Sequence, residues 1–118
     1  MPIVQLKFNL KPFRIMEKTI SRSLLLRQLG AIRKVQNLQS ARSGRDVPNQ
    51  YDLVCENGIA FQSYGTLIAV RMNGYLYLTD YHDYSKTTSK YCTGWTGWNT
   101  SERRRGLESG KFIRIVED

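Results

Sequence analysis

Apolar and polar residues alternate strictly at the start of the chain, with Val4, Leu6, Phe8 and Leu10 on one side and Gln5, Lys7, Asn9 and Lys11 on the other. A period of two belongs to a half-buried strand, so residues 3–11 read as one. Pro12 ends it. From 13 to 29 the period changes: Ile15, Thr19, Ile20, Ser23 and Leu24 suit one helical face, while Arg14, Lys18 and Arg22 recur every four residues on another. The spacing predicts one long helix, which Gly30 weakens or ends. Residues 31–38, with Ile32, Val35 and Leu38, fit either a continued helix or a short strand. Residues 39–50 are polar, hold Gly44 and Pro48, and read as a linker.

The second half reads as a β-meander. Runs at 51–55 and 59–64 flank Glu56-Asn57-Gly58, and runs at 67–72 and 75–80 flank Asn73-Gly74. Asn-Gly between β-prone runs signals a hairpin, because a type I′ turn needs positive φ at both central positions. Residues 81–99 read as a short, irregular helix capped by Ser85, with Tyr84, Tyr91, Trp95 and Trp98 near helical spacing. Residues 99–110 read as a polar loop and 111–116 as a final strand. The expected fold is therefore α+β: one long N-terminal helix, an antiparallel β-meander sheet and a C-terminal closing strand. A basic strand–helix arm with its linker spans 1–48, an aromatic-rich β domain spans 49–118, and the two are expected to form one compact unit.

Charge sharpens this division. The net charge is +8, and residues 1–48 supply all of it: Lys7, Lys11, Arg14, Lys18, Arg22, Arg27, Arg33, Lys34, Arg42 and Arg45 stand against only Glu17 and Asp46. Such asymmetry favours phosphate or an acidic protein face as a partner. On a helix, Arg14, Lys18 and Arg22 would stand roughly 6 Å apart, a ladder able to follow phosphates along a strand of nucleic acid. Arg103, Arg104 and Arg105 form a further candidate grip, although Glu102 and Glu108 flank them and a solvated loop is the preferred reading. Ten of the thirteen aromatic residues lie between Tyr51 and Trp98. Tyr75 and Tyr77 share one strand face opposite Leu76 and Leu78, and that face is either capped by the helix or left as a platform. With Trp95 and Trp98 they are candidate anchors for bases or for a partner protein.

Catalytic chemistry finds little support. Asp80, His82 and Asp83 form the one local acid–base cluster, and no nucleophile, base and orienting group stand together, so no catalytic residues are expected. Cys55 and Cys92 belong to no Cys-x-x-Cys pair, and His82 is the sole histidine. No metal or cofactor is expected, and both cysteines read as buried thiols. No run approaches the roughly 18 apolar residues of a membrane span, no signal-peptide pattern opens the chain, and a cytoplasmic location follows as the default.

Two stretches carry a resemblance. Phe61-Gln62-Ser63-Tyr64-Gly65-Thr66-Leu67-Ile68-Ala69, followed by Tyr84-Ser85-Lys86-Thr87-Thr88-Ser89-Lys90-Tyr91, resembles the F-x-S-Y-x-T-x-I-A and Y-S-x-T-T-S-K motifs of small uncharacterised tailed-phage proteins. The likeness covers about residues 50–92 and departs at Cys92–Trp98, where the family continues with an apolar helix. It implies a phage origin and carries over no activity; taken with the basic first third, the leading expectation is a phage accessory or anti-defence protein that binds and blocks a host nucleic-acid-handling complex, for example a CRISPR effector. The alternative is a direct DNA or RNA binder using the basic N-terminal surface. The expected partner is a host protein or ribonucleoprotein, or nucleic acid itself, with self-association through the first strand left open.

Overall fold

The computed structural model describes the backbone of residues 5–9 and 15–118 and the side chains from residue 17 onward. Eight strands among these residues form one sheet: β1 Gln5–Asn9, β2 Ile15–Ser21, β3 Ile32–Gln39, β4 Asp46–Cys55, β5 Gly58–Ser63, β6 Thr66–Met72, β7 Tyr75–Leu78 and β8 Ile113–Val116. Their spatial order is β1-β2-β8-β7-β6-β5-β4-β3. Three helices, α1 Arg22–Leu29, α2 Lys86–Thr96 and α3 Thr100–Ser109, and a 3-10 turn at Asp80–Asp83 complete the fold.

The expected fold class is overturned at two points. Among the described residues there is no long N-terminal helix. Residues 15–21 pair as a strand with β1 on one side and β8 on the other, and only the eight residues of α1 are helical. Ser21 marks the change: it is extended, and its hydroxyl accepts the amide of Leu24 at 3.3 Å, capping α1. The four-residue spacing of Arg14, Lys18 and Arg22 did not discriminate, because every fourth residue lies on one side of a strand as well as near one side of a helix. Nor is the sheet an antiparallel meander closed at its end. β8 inserts between β2 and β7 and runs parallel to both, since α2 and α3 carry the chain across one face before it returns.

Strands β3 to β7 do run antiparallel to one another in sequence order. The β6–β7 turn has positive φ at Asn73 (55°) and Gly74 (78°), as a type I′ turn requires. Residues 31–38 are resolved in favour of a strand, and β4 begins inside the expected linker at Asp46. Both the basic arm and the aromatic half contribute strands to the one sheet. Residues 99–110, expected as a loop, form α3: Asn99 accepts the amide of Glu102, and Glu102 accepts the amide of Asn99, each at 2.9 Å. This reciprocal cap satisfies two otherwise orphaned donors.

Alternation along the central strands makes two cores. On one face Leu25 and Leu29 of α1 pack with Ile20, Ala60, Val70, Met72, Tyr77, Ile113 and Ile115. On the other, Cys92 of α2 and Leu107 of α3 pack with Phe61, Ala69, Leu78 and Phe112. Each buried leucine contributes roughly 1.5–3 kcal/mol. The close approach of α3 to the sheet depends on Gly106, where an added Cβ would lie 2.2 Å from the Phe112 ring.

Candidate functional site

The face that carries α2 and α3 also carries three cations laid over aromatic rings. Trp95, in the last turn of α2, stacks on Phe61 of β5 with ring centroids 5.9 Å apart and planes 24° apart. Its indole nitrogen donates to Asp52 of β4 at 2.6 Å. The ring is thus fixed from below and from its edge. Arg71 of β6 lies over the ring, its guanidinium carbon 4.4 Å from the ring centroid, and it also donates to the carbonyl of Trp95. Arg71 is exposed, and its contacts with Trp95 orient its guanidinium. The ammonium of Lys90 lies 5.3 Å from the Tyr91 ring, and that of Lys111 lies 3.8 Å from the Trp98 ring. Trp98 in turn leans on Phe112, with centroids 5.6 Å apart.

Arg71 joins these pairs into a band. On one side of it a groove of about 640 Å³ runs between the β3–β4 hairpin and α2, with Leu38, Arg42, Ile59, Lys90, Tyr91 and Trp95 among its walls. On the other side lies a depression of about 240 Å³ that Arg71 lines together with Tyr75, Leu76 and Trp98. Asp52 is the one carboxylate lining either space, and the Trp95 indole holds it. The band offers flat apolar surfaces interleaved with cations. Chemically, that suits planar rings linked by anions.

A buried arginine holds α2 and α3 in place. Arg103 is 0% exposed, and among the described residues no carboxylate pairs with it. Instead its donors meet neutral acceptors: His82 Nδ1 at 3.0 Å, the His82 carbonyl at 3.1 Å, Thr93 Oγ1 at 2.9 Å, the Trp98 carbonyl at 2.6 Å, Ser89 Oγ at 3.0 Å and Thr100 Oγ1 at 3.2 Å. His82 must therefore be unprotonated at Nδ1. Burial holds its imidazole below the ordinary range; Asp83 opposes this, and Arg103, Arg104 and Arg114 reinforce it. Burial likewise pushes the Cys92 thiol up to about 11, and both Cys55 and Cys92 are buried and unpaired.

Among the described residues, those anticipated from sequence are spread over several elements and include the internal Arg103 and Tyr77. Lys7 lies in β1 with its side chain outside the described residues, and Lys11 and Arg14 lie outside them altogether. Lys18 sits on β2 and Arg27 on α1, while Arg33 and Lys34 are exposed on β3. Two of the N-terminal cations meet second-half carboxylates, Arg22 with Glu117 at 3.4 Å and Arg33 with Glu56 at 3.6 Å. In the triple-arginine run Arg103 is internal, Arg104 pairs with Asp83 at 2.6 Å and Arg105 is exposed. Tyr77 is fully buried, whereas Tyr75 is 48% exposed. Trp95 and Trp98 join the band as ring surfaces. Arg71, Lys90 and Lys111 were missed; only the adjacency of Lys90 and Tyr91 was visible in sequence, since 71 meets 95, and 98 meets 111, through the fold alone.

The acid–base cluster is dispersed as well. Asp80 pairs with Arg114, Asp83 with Arg104, and His82 with Arg103. Among the described residues, no three His, Cys, Asp or Glu side chains are grouped to hold a metal ion, and no helix is long and apolar enough to cross a membrane. No curated protein and no solved structure matches the chain. Residues 29–113, which run from the last residue of α1 to the first of β8 and include Arg71, Lys90 and Lys111 with the rings they cover, match the model of a family of unknown function, DUF8033, and the protein belongs to that family.

Proposed function

We propose that the protein is a non-catalytic nucleic-acid-binding protein that holds a single strand along the Lys90–Tyr91, Arg71–Trp95 and Lys111–Trp98 band. The observation that carries this reading is the pairing itself: three cations, each laid over an aromatic ring. Bases stack on rings and on guanidinium planes, and phosphates are drawn to the ammonium groups, so the surface is tolerant of sequence. The strongest cations of this surface come from the second half of the chain. That departs from the expectation of a basic N-terminal surface, whose Arg22 and Arg33 are engaged by carboxylates.

A fluorescence-anisotropy titration with labelled single-stranded and duplex oligonucleotides tests it. Single strands should bind more tightly than duplex, with log K falling by about 0.7 per neutralised phosphate against log salt, hence about 2 for three contacts. Arg71→Ala should weaken binding by about 1–3 kcal/mol, the range of one stacked base. Equal affinity for duplex, or no change in Arg71→Ala, contradicts the reading.

One observation favours a second reading, in which the partner is a protein. Ile32 and Val35 of the edge strand β3 are 56% and 57% exposed and stand among Arg33 and Lys34. An exposed edge with apolar and basic side chains suits an acidic protein surface. The tailed-phage likeness would set this contact in the cytoplasm of an infected host, with β3 docking on a complex that handles nucleic acid, such as a CRISPR effector. A nuclease-treated pull-down separates the two readings, because a protein-directed contact survives digestion and a nucleic-acid bridge does not.

A further inference from the structure

A separate cleft of about 500 Å³ opens between the β5–β6 turn, the start of α2 and the C-terminal residues. The two motif stretches, Phe61–Ala69 and Tyr84–Tyr91, meet there. Its rim carries three exposed tyrosines, Tyr64, Tyr81 and Tyr84, at 56%, 42% and 78% exposure. Tyr64 holds a φ of 56°, a conformation bulky residues seldom adopt. Tyr81 and Tyr84 meet edge to face at 6.0 Å.

The floor is a chain of hydroxyls. Ser63 and Thr88 are buried and share a hydrogen bond of 3.1 Å, and Ser85 donates to Thr88 Oγ1 at 3.2 Å while accepting the Thr88 amide at 3.1 Å. Across the β4–β5 ladder from Ser63, Gln50 is 1% exposed and its side-chain amide has no partner among the described residues, but it is not part of the cleft lining. Buried amides are rarely left so.

Charge selects the ligand class. The cleft is lined by one cation and one anion, Arg22 and Glu117, paired at 3.4 Å. An anionic ligand would have to displace a carboxylate and would find the first turn of α2 already capped by Ser85. Aromatic walls over a neutral hydroxyl floor instead suit a ligand with an apolar ring face and hydroxyls at its edge. We propose that this cleft binds a neutral carbohydrate, stacked on the tyrosine rim and hydrogen-bonded to the floor, independently of the cation–aromatic band.

Amide ¹H–¹⁵N spectra of the full chain, titrated with glucose, galactose, mannose, N-acetylglucosamine and their disaccharides, and separately with adenosine and thymidine, test this. At least one sugar should shift the amides of Tyr64, Ser85 and Thr88 saturably. Tyr84→Ala and Tyr64→Ala, at exposed positions, should each weaken that sugar by up to about ten-fold, and Glu108→Ala, on an exposed part of α3 outside the cleft, should leave it unchanged. The proposal is overturned if no sugar shifts these amides, if only the nucleosides do, or if both tyrosine variants bind as the parent does.

Discussion

Arg103 sits where a hydrophobic residue would ordinarily be, and its neighbours explain how it is tolerated. A buried guanidinium costs several kcal/mol in desolvation unless its donors are met, and here hydroxyls, two carbonyls and one imidazole nitrogen meet them. The arrangement makes His82 a titration point. In the unfolded chain its imidazole takes up a proton as pH falls through about 6.5, whereas in the folded protein burial, chiefly, holds it deprotonated to lower pH. The resulting stability is full above the unfolded value and is lost as pH falls from there through the folded value. The urea midpoint should therefore drop between about pH 7 and pH 5, and His82→Gln should remove most of that dependence. Asp83, whose burial is outweighed by its Arg104 hydrogen bonds and the charges around it, titrates below its ordinary range and outside this window. A parent midpoint that is flat across the window contradicts the assignment.

Among the elements, α3 shows how a helix can be hidden in its own sequence. Its buried residues are Arg103, Gly106 and Leu107, so only one apolar side chain marks the inward face and the rest reads as polar loop. The Asn99–Glu102 capping box was the available local sign. Asn99→Ala should cost about 0.5–2 kcal/mol in a thermal or urea melt; no loss would mean the cap contributes nothing. The β6–β7 hairpin, by contrast, was legible because the Asn73-Gly74 turn is specified by two adjacent residues. The error over residues 13–29 arose because a strand flanked by β1 and β8 is fixed by partners distant in sequence, and β8 pairs with residues about ninety-five positions earlier. The parallel insertion of β8 was invisible for the same reason. Of the proposed binding surface, Trp95 and Trp98 could be named in advance, but the cations that cover them could not.

For the molecule as a whole, a charge balance along the sequence is a poor map of charge in space. The +8 belongs to the first 48 residues, yet the fold brings Glu56 and Glu117 to Arg33 and Arg22, and Glu17 to Arg114. The exposed cations held over aromatic rings lie at Arg71, Lys90 and Lys111 instead. On the proposed reading this band engages bases by stacking as well as phosphates by charge, whereas a purely electrostatic arm would engage phosphates alone. Mapping amide and indole ¹H–¹⁵N shifts on adding a single-stranded oligonucleotide discriminates directly. The Trp95 and Trp98 indole signals and the amides of Arg71, Lys90, Tyr91 and Lys111 should move together and saturate. Shifts confined to α1 and β3, with both indole signals unmoved, would contradict the assignment of this band as the binding surface.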